Sequence, residues 1–454
     1  MTGIIVASGN LANPVMARSQ MGFSLGWHII LACFGVGMPA LVVFVEWRGI
    51  RTGDPSYRLL ARRWAKVLGV LFAVGAVSGT ILSFEMGVLW SGLMDHYGAV
   101  IGLPFAIEGF AFFIEAIFLG IYLYGWDRLS PRTHLLSGIP IVVAGIASAF
   151  FVVSANAWMN SPTGYTVRDG RLVGVDPWAA MFNSATGPET THMIISAFMV
   201  TGFGVASVYA VAMLRGRHDR YHRIGLLVPL TMASVLAPIQ FVVGDWAARY
   251  VAKDQPVKLA AMEGLAHGRN GAPESIGGYF SGGQLHDAIR LPDGLSLLTH
   301  FRPNAYVAGL DQVPPALRPP VTVVHLAFDS MVGIGSALLL LAAWLGYAWW
   351  RHRDLPTSRW FLRAVAVSGV GAVVAMEAGW ITTEVGRQPW IVYGVLKVAA
   401  AVNPEPGLGY GLYAVIVVYA ALTVATVYVL RRMTQSTPVP MAPQESDVAA
   451  VKVV

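Results

Sequence analysis

Charge is what this sequence has least of. Only 12% of its 454 residues are Asp, Glu, Lys or Arg, about half the share usual in soluble domains. That scarcity excludes a water-soluble multidomain enzyme. Cysteine is nearly missing as well, with Cys33 the single example. One thiol excludes a disulfide framework and the C-x-x-C-H attachment of a covalent haem, so any haem has to be held by axial ligands alone. Cys33 itself reads as a small packed residue. The eleven histidines fall mostly in loops and at the ends of apolar runs. They leave no dense intramembrane set of imidazoles, which excludes a histidine-bound haem–copper centre. The formal net charge of +6 points to no nucleic acid, because the basic residues sit in short loops between apolar segments, the pattern of membrane topology. No cleavable signal peptide is evident. The first apolar run starts about twenty residues in, carries His28 and is long enough to span.

Apolar sequence is what the chain has in abundance. Hydrophobic residues make up 55%, nearly all in long runs, and roughly 20 such residues cross a bilayer as a helix. The runs predict spans near 22–46, 66–93, 104–126, 135–158, 190–214, 224–248, 321–349, 361–383 and 408–430. The expected fold is an all-α polytopic membrane protein of about nine transmembrane helices. Arginines cluster between the first and second spans (Arg48 to Arg63), after the third (Arg128, Arg132), between the fifth and sixth (Arg215 to Arg223), between the seventh and eighth (Arg351 to Arg363) and after the last (Arg431, Arg432). All of these belong to one side, which the positive-inside rule makes cytoplasmic. An odd number of spans then puts the N-terminus outside and the C-terminus in the cytoplasm. The chain divides into 1–249 with the first six spans, an outside loop over 250–320, and 321–432 with the last three. The long loop is rich in Gly, Pro, charge and histidine, and loops beyond about 15 residues are usually functional or disordered. Residues 433–454, rich in Pro, Ser and Ala, predict a disordered cytoplasmic tail.

Ionisable groups at membrane depth are costly and are therefore functional candidates. Here they are His28, Glu85, Glu108, Glu115, Asp245, Asp329, Glu377 and Glu384, with His192 near the outer end of the fifth span. Glu108 and Glu115 are seven residues apart, two turns along one helix face; Glu377 and Glu384 repeat that spacing, with Trp380 one turn from Glu384. Paired carboxylates suit proton transfer, cation binding or iron ligation, and a structural interhelical hydrogen bond is the plainer alternative. The small residues Gly26, Gly35 and Gly37 around His28 let a flat macrocycle or, more commonly, a second helix approach closely. Met331, in D-S-M-V-G-I-G, reads as core filler on its own.

Several stretches resemble subunit I of the cytochrome bd-type quinol oxidases, over almost the whole chain. They are A-R-S-Q-M-G-F-S-L-G-W-H, G-L-P-F-A-I-E-G-F-A-F-F-I-E-A, N-A-W-M-N-S-P, V-K-L-A-A-M-E and E-A-G-W-I-T-T-E-V-G-R-Q-P-W. The last is the most specific, with glutamate, arginine and tryptophan at fixed spacing. The resemblance implies the haem-bearing subunit of a terminal quinol oxidase in a bacterial cytoplasmic membrane. Such a protein oxidises quinol at the outer face and reduces oxygen to water with net charge separation. It implies a low-spin haem b, a high-spin haem b, and a haem d or a further haem b. It also implies a second membrane subunit (subunit II), with a small single-helix subunit as an optional third.

The resemblance assigns roles residue by residue. His28 matches the axial ligand of one high-spin haem and Glu384 the ligand of the other. His192 and Met331 match the ligands of the low-spin haem b, which reverses the filler reading of Met331. Trp380 matches a tryptophan beside the high-spin haems, and Arg387 an arginine placed to pair with propionates. Glu108 and Glu115 match carboxylates that deliver protons or sit beside those haems. Lys258 and Glu263 match residues of the quinol-binding loop. The chemistry is coherent: a His/Met pair fills both axial positions and suits electron transfer, whereas one protein ligand leaves a position open for oxygen. A carboxylate beside a quinol takes its proton as electrons leave, and a lysine steadies the developing anion.

One departure stands out. Familiar members read A-F-R-x-M before the low-spin methionine, and this chain reads A-F-D-S-M, with Asp329 in place of the arginine. An acid there should lower that haem's potential or require a compensating cation. The loop after the sixth span is also of the shorter type, and together these suggest a divergent branch. Two other classes stay open: a bd-like electron carrier without oxygen reduction, and a secondary transporter, since intramembrane carboxylates and broken helices also fit that class. No inverted repeat supports the transporter, which would purify colourless.

Overall fold

The structure is a computed structural model that describes residues 12–169 and 171–435. Among the described residues, nine helices are long and apolar enough to cross a membrane. In chain order the helices used below are α1 (Ala12–Thr52), α2 (Pro55–Leu89), α3 (Ser91–Gly125), α4 (Pro131–Asn160), α5 (Thr186–Leu214), α6 (Arg220–Asp254), the short α7 (Pro256–Met262), α8 (Val321–His352), α9 (Arg359–Gly386) and α10 (Leu408–Gln435). Every expected span is present, and most overrun their apolar runs. Hydropathy marks the part that lies in lipid, whereas caps mark where the helix starts. Asp54, Ser130, Asp219 and Ser358 each accept a backbone N–H in the first turn, and Pro55 and Pro131 occupy the first helical position. The apolar run expected to continue to 93 is instead broken at Trp90 (φ −112°, ψ 39°), which separates α2 from α3.

α1 lies at the centre and packs on α2, α4, α5 and α10. Cys33 is fully buried in the main core beside Ile29 and Val36. α10 is held to α1 by Trp27 stacked on Tyr419, with centroids 4.5 Å apart. The arginine-bearing loops share one end of the bundle. Arg62 pairs there with Asp127, Arg220 with Asp54 at 2.5 Å, and Arg223 with Asp354 at 2.6 Å. Just inside that end, Glu46 of α1 accepts hydrogen bonds from Tyr122 of α3 and, at 2.6 Å, from His134 Nδ1 of α4.

At the opposite end, the segment after α6 is more ordered than a loose loop. α7 follows a one-residue break at Gln255. Three nested antiparallel pairs come next: Arg269–Asn270 with Tyr306–Val307, Glu274–Ile276 with Ile289–Leu291, and Tyr279–Ser281 with Gln284–His286. The innermost turn is Gly282-Gly283, both at positive φ (+57° and +81°), as a two-residue hairpin of this hand requires. Of the tail expected over 433–454, the first three residues complete α10, and the rest lies outside the described residues.

Candidate functional site

Helices α1, α2, α3, α4 and α9 enclose a cavity of about 1130 Å³. His28, Glu108, Glu115, Trp380, Glu384 and Arg387 all line it, so the structure gathers the candidates drawn from three distant stretches of sequence. One nitrogen of His28 is engaged and the other is left free. Ser78 Oγ donates its hydrogen to Gly75 O at 2.9 Å and lies 2.7 Å from His28 Nδ1. The serine therefore accepts from Nδ1–H, and Nε2 is left with its lone pair. The ring lies over Gly79, where a Cβ would sit 3.3 Å from His28 Cε1. Across the cavity, Asn156 Nδ2 donates to Glu384 Oε1, and Arg387 Nη2 donates to Oε2 at 2.5 Å. These bonds orient the carboxylate as a second layer orients a metal ligand.

The cavity wall carries buried polar atoms without hydrogen-bond partners: Trp380 Nε1, Arg387 Nε, Glu377 Oε1 and Glu115 Oε1. Native interiors rarely leave such groups unpaired, so a wall bearing four of them is built for a polar-edged occupant. Among the described residues no cluster of three or more His, Cys, Asp or Glu side chains is arranged to hold a bare metal ion. Isolated ligands suit an iron whose equatorial positions are already filled, as in a porphyrin. The residues present therefore fit haem. Glu108 accepts from Ser148 Oγ at 2.9 Å, while Glu115 lies one step further toward the basic end, against Gly145.

His192 and Met331 lie outside this cavity, in the neighbouring group formed by α5, α6, α8 and α9. Each faces a glycine on the next helix. A Cβ on Gly244 would lie 3.6 Å from His192 Nε2, and one on Gly379 only 2.8 Å from Met331 Sδ. Gln240 Nε2 donates to His192 O at 3.1 Å and ties α6 to α5 at that level. Asp329 turns toward the outer segment, where its Oδ2 accepts from Gly277 N at 2.5 Å. The compensating cation has a candidate in His325, one turn back. Its Nδ1 lies 2.6 Å from Met262 O and its Nε2 2.8 Å from Gly277 O, with Asp329 Oδ2 at 3.5 Å. Carbonyls only accept, so a ring that satisfies both carries two hydrogens and a positive charge.

Lys258 and Glu263 are neighbours in sequence but point to different surroundings. Lys258 Nζ donates to Asn160 Oδ1 at 3.2 Å. Its stem lines a small cavity of about 210 Å³ together with Gly386, Gln388, Trp390 and Tyr393. Burial, with Arg387 adding to it, pulls its ammonium below the usual lysine range, while Glu189 and Glu384 hold it up. Glu263 Oε2 accepts from Ser275 N at 3.1 Å. Burial first, and then Glu274 and Asp329, push its carboxyl up to about 8 against that hydrogen bond.

Sequence reasoning missed Ser78, Asn156, Asn160, Glu189 and His325. Asn156 and Asn160 stood in N-A-W-M-N-S-P at i, i+4 spacing, which puts both on one face, but an amide does not announce itself as a charge does. Glu189 lies three residues before His192 in P-E-T-T-H, just outside the apolar run expected to begin at 190.

Comparison with known proteins identifies the family. A family model described as cytochrome bd terminal oxidase subunit I matches residues 16–438. The chain is 37% identical over 425 residues to a putative cytochrome bd menaquinol oxidase subunit I of Bacillus subtilis, covering 92% of this chain and 95% of that one. It is 25% identical over 507 residues to the cytochrome bd-II ubiquinol oxidase subunit 1 of Escherichia coli, covering 95% and 98%. Among solved structures it is similar to the bd oxidase from Geobacillus thermodenitrificans, with a TM-score of 0.87 and 38% identity over 94% of this chain and 99% of that one.

Proposed function

This chain belongs to the cytochrome bd terminal oxidase subunit I family, as a haem-bearing subunit of a multi-subunit terminal quinol oxidase in the bacterial cytoplasmic membrane, and from that premise we propose how its residues divide the work. His28 and Glu384 hold the two high-spin haems, one a haem b and the other a haem d or a further b. The cavity between them exceeds the roughly 300–1,000 Å³ of a pocket for one drug-sized ligand. When bound, such a haem with one protein ligand supplies the open iron position at which oxygen is reduced. The unpaired N–H groups of Arg387 and Trp380 would pair with the propionates of a haem bound there, and Arg387 also steadies Glu384. His192 and Met331 would hold the low-spin haem b, which would supply electron transfer there.

Glu115 and Glu108 relay protons into the cavity from the basic end, which is the cytoplasmic side on the positive-inside rule. The N-terminus is then outside and the C-terminus inside. Residues 250–320 are the quinol-binding segment. There Glu263 takes the quinol proton and Lys258 steadies the oxygen it leaves. Protons released outside and consumed from inside separate charge without pumping. The partner is a second membrane subunit, with a small single-helix subunit as an optional third.

The observation that carries this reading is the cavity wall, with its preset imidazole and its unpaired polar atoms. A reduced-minus-oxidised spectrum of the purified complex, with and without carbon monoxide, tests it. A low-spin b signal that ignores carbon monoxide beside a high-spin signal that responds to it is expected. Low-spin bands alone would overturn the oxygen-site assignment in favour of a plain electron carrier.

A further inference from the structure

Asn160 closes α4 and is 1% exposed. Its Oδ1 receives three donors, Lys258 Nζ, Arg387 Nη1 and Gln255 Nε2, each at 3.2 Å. A carbonyl oxygen has two lone pairs, and 3.2 Å is the long limit of a normal N–H···O bond. The oxygen is oversubscribed, so its donors compete. On the other side of the amide, Asn160 Nδ2 donates to Glu189 Oε1 at 2.8 Å. That carboxylate lies within electrostatic reach of both Lys258 and Arg387. Arg387 donates onward to Glu384. Two side chains, Asn160 and Arg387, therefore connect the lysine of α7 to the carboxylate on the cavity wall. Lys258 also runs along the end of α9, where a Cβ on Gly386 would lie 2.9 Å from its Cγ.

We propose that Asn160, with Glu189 as its counter-charge, couples the two ends of the reaction: a quinol headgroup that engages Lys258 alters how Arg387 holds Glu384, and so alters ligand affinity at the high-spin site. The proposal rests on the reading above that Lys258 belongs to the quinol site and Glu384 to an iron. A headgroup oxygen that takes the lysine's hydrogen bond removes one competitor from Asn160 Oδ1. The bond from Arg387 to Asn160 then tightens, and its grip on Glu384 slackens. Glu189 draws the lysine back when the headgroup leaves. Asn160 and Glu189 are positioning residues, since neither touches substrate. Linkage makes the effect reciprocal.

The test uses the assembled complex, chemically reduced so that no turnover is needed. Carbon monoxide is titrated with and without a saturating hydroxyquinoline N-oxide, a headgroup mimic that is not oxidised. The wild-type carbon monoxide affinity should change by about fivefold or more when the mimic is bound, and by less than about twofold in Asn160→Ala. Glu189→Gln is isosteric and keeps the packing. If Asn160→Ala does not retain its haems, Glu189→Gln decides alone, and it should lose at least half of the coupling. A wild-type response absent altogether, or full coupling in a variant with normal haem content, overturns the proposal. Lys258→Met separates this from the reading beneath it. Unchanged mimic binding and quinol turnover in that variant would remove Lys258 from the quinol site and sink the underlying reading. Lost mimic binding there, with full coupling in Asn160→Ala, would leave the reading standing and sink the coupling alone.

Discussion

Glu46 and Glu115 are equally buried, each 5% exposed, yet they have opposite surroundings. Glu46 has both oxygens engaged, by Tyr122 and His134, and closes a lock among α1, α3 and α4. Glu115 has an oxygen with no partner and lines the large cavity. Tyr122, the partner of Glu46, sits seven residues after Glu115, on the same face of α3. One helix face thus carries a satisfied structural cluster at its basic end and an unsatisfied site above it. Burial does not separate the two kinds of carboxylate, whereas partnering does. Fully bonded, Glu46 stabilises the fold, whereas the unpaired oxygen of Glu115 is open to the cavity.

The sharpest way to strengthen that contrast is to remove a proposed iron ligand from the cavity wall. His28→Ala or Glu384→Ala should cut oxygen reduction by at least about a hundredfold, the upper end of what even the supports of a metal ligand cost. Pyridine haemochrome content and the carbon monoxide difference spectrum report the loss, while Met331→Leu should remove only the low-spin signal. Wild-type haem content and spectrum in both His28→Ala and Glu384→Ala would break the assignment of the cavity.

The two carboxylates themselves come next. Glu115→Gln should slow oxygen turnover by roughly a hundredfold, the scale of a lost proton-transfer group, with thermal stability unchanged. Glu46→Ala should do the reverse: removing one partner of a buried bonded pair costs about 3 kcal/mol or more of stability, while the molecules still folded keep their turnover. Were Glu46→Ala to stay stable and lose turnover, the lock would be part of the proton route and the comparison would fail.

A smaller effect separates the quinol end from the cavity. The Glu263 carboxyl is pushed up to about 8 by burial and by Glu274 and Asp329. Its neutral form therefore dominates below that pH, and the ionised base grows about tenfold per unit as pH rises toward it. Quinol oxidation should climb through that range and level off above it, while turnover fed by an artificial electron donor should not follow. Glu263→Gln should flatten the slope, and a slope that survives it would assign the titration elsewhere.

Much of this was legible in the sequence because lipid imposes simple rules. Long apolar runs located every span, and arginine clusters marked the loops that the structure gathers at one end. The cost of intramembrane charge singled out His28, Glu108, Glu115 and Glu384. Helix ends were less legible, since Asp54, Ser130, Asp219 and Ser358 act through local hydrogen bonds that hydropathy does not register. The supporting layer was the least legible. Asn160 joins α4, α7 and α9 only once those helices are assembled. Asp329 was legible only as an anomalous acid, and it makes sense only together with His325 against Met262 and Gly277.

The smallest expected effect tests the geometry of the His28 site most directly. Gly79→Ala places a methyl 3.3 Å from His28 Cε1 and 3.8 Å from Nε2, so the imidazole must shift by a fraction of an ångström or tilt. Alanine favours a helix interior by about 1 kcal/mol over glycine, which offsets the crowding, and thermal stability should hardly move. Any change then belongs to the ring. Carbon monoxide affinity and the position of the high-spin band should shift modestly, with the low-spin signal proposed for His192 and Met331 untouched. An identical high-spin spectrum would mean that the Nε2 of His28 does not reach the iron, and the preset imidazole would belong with Glu46 among the structural groups.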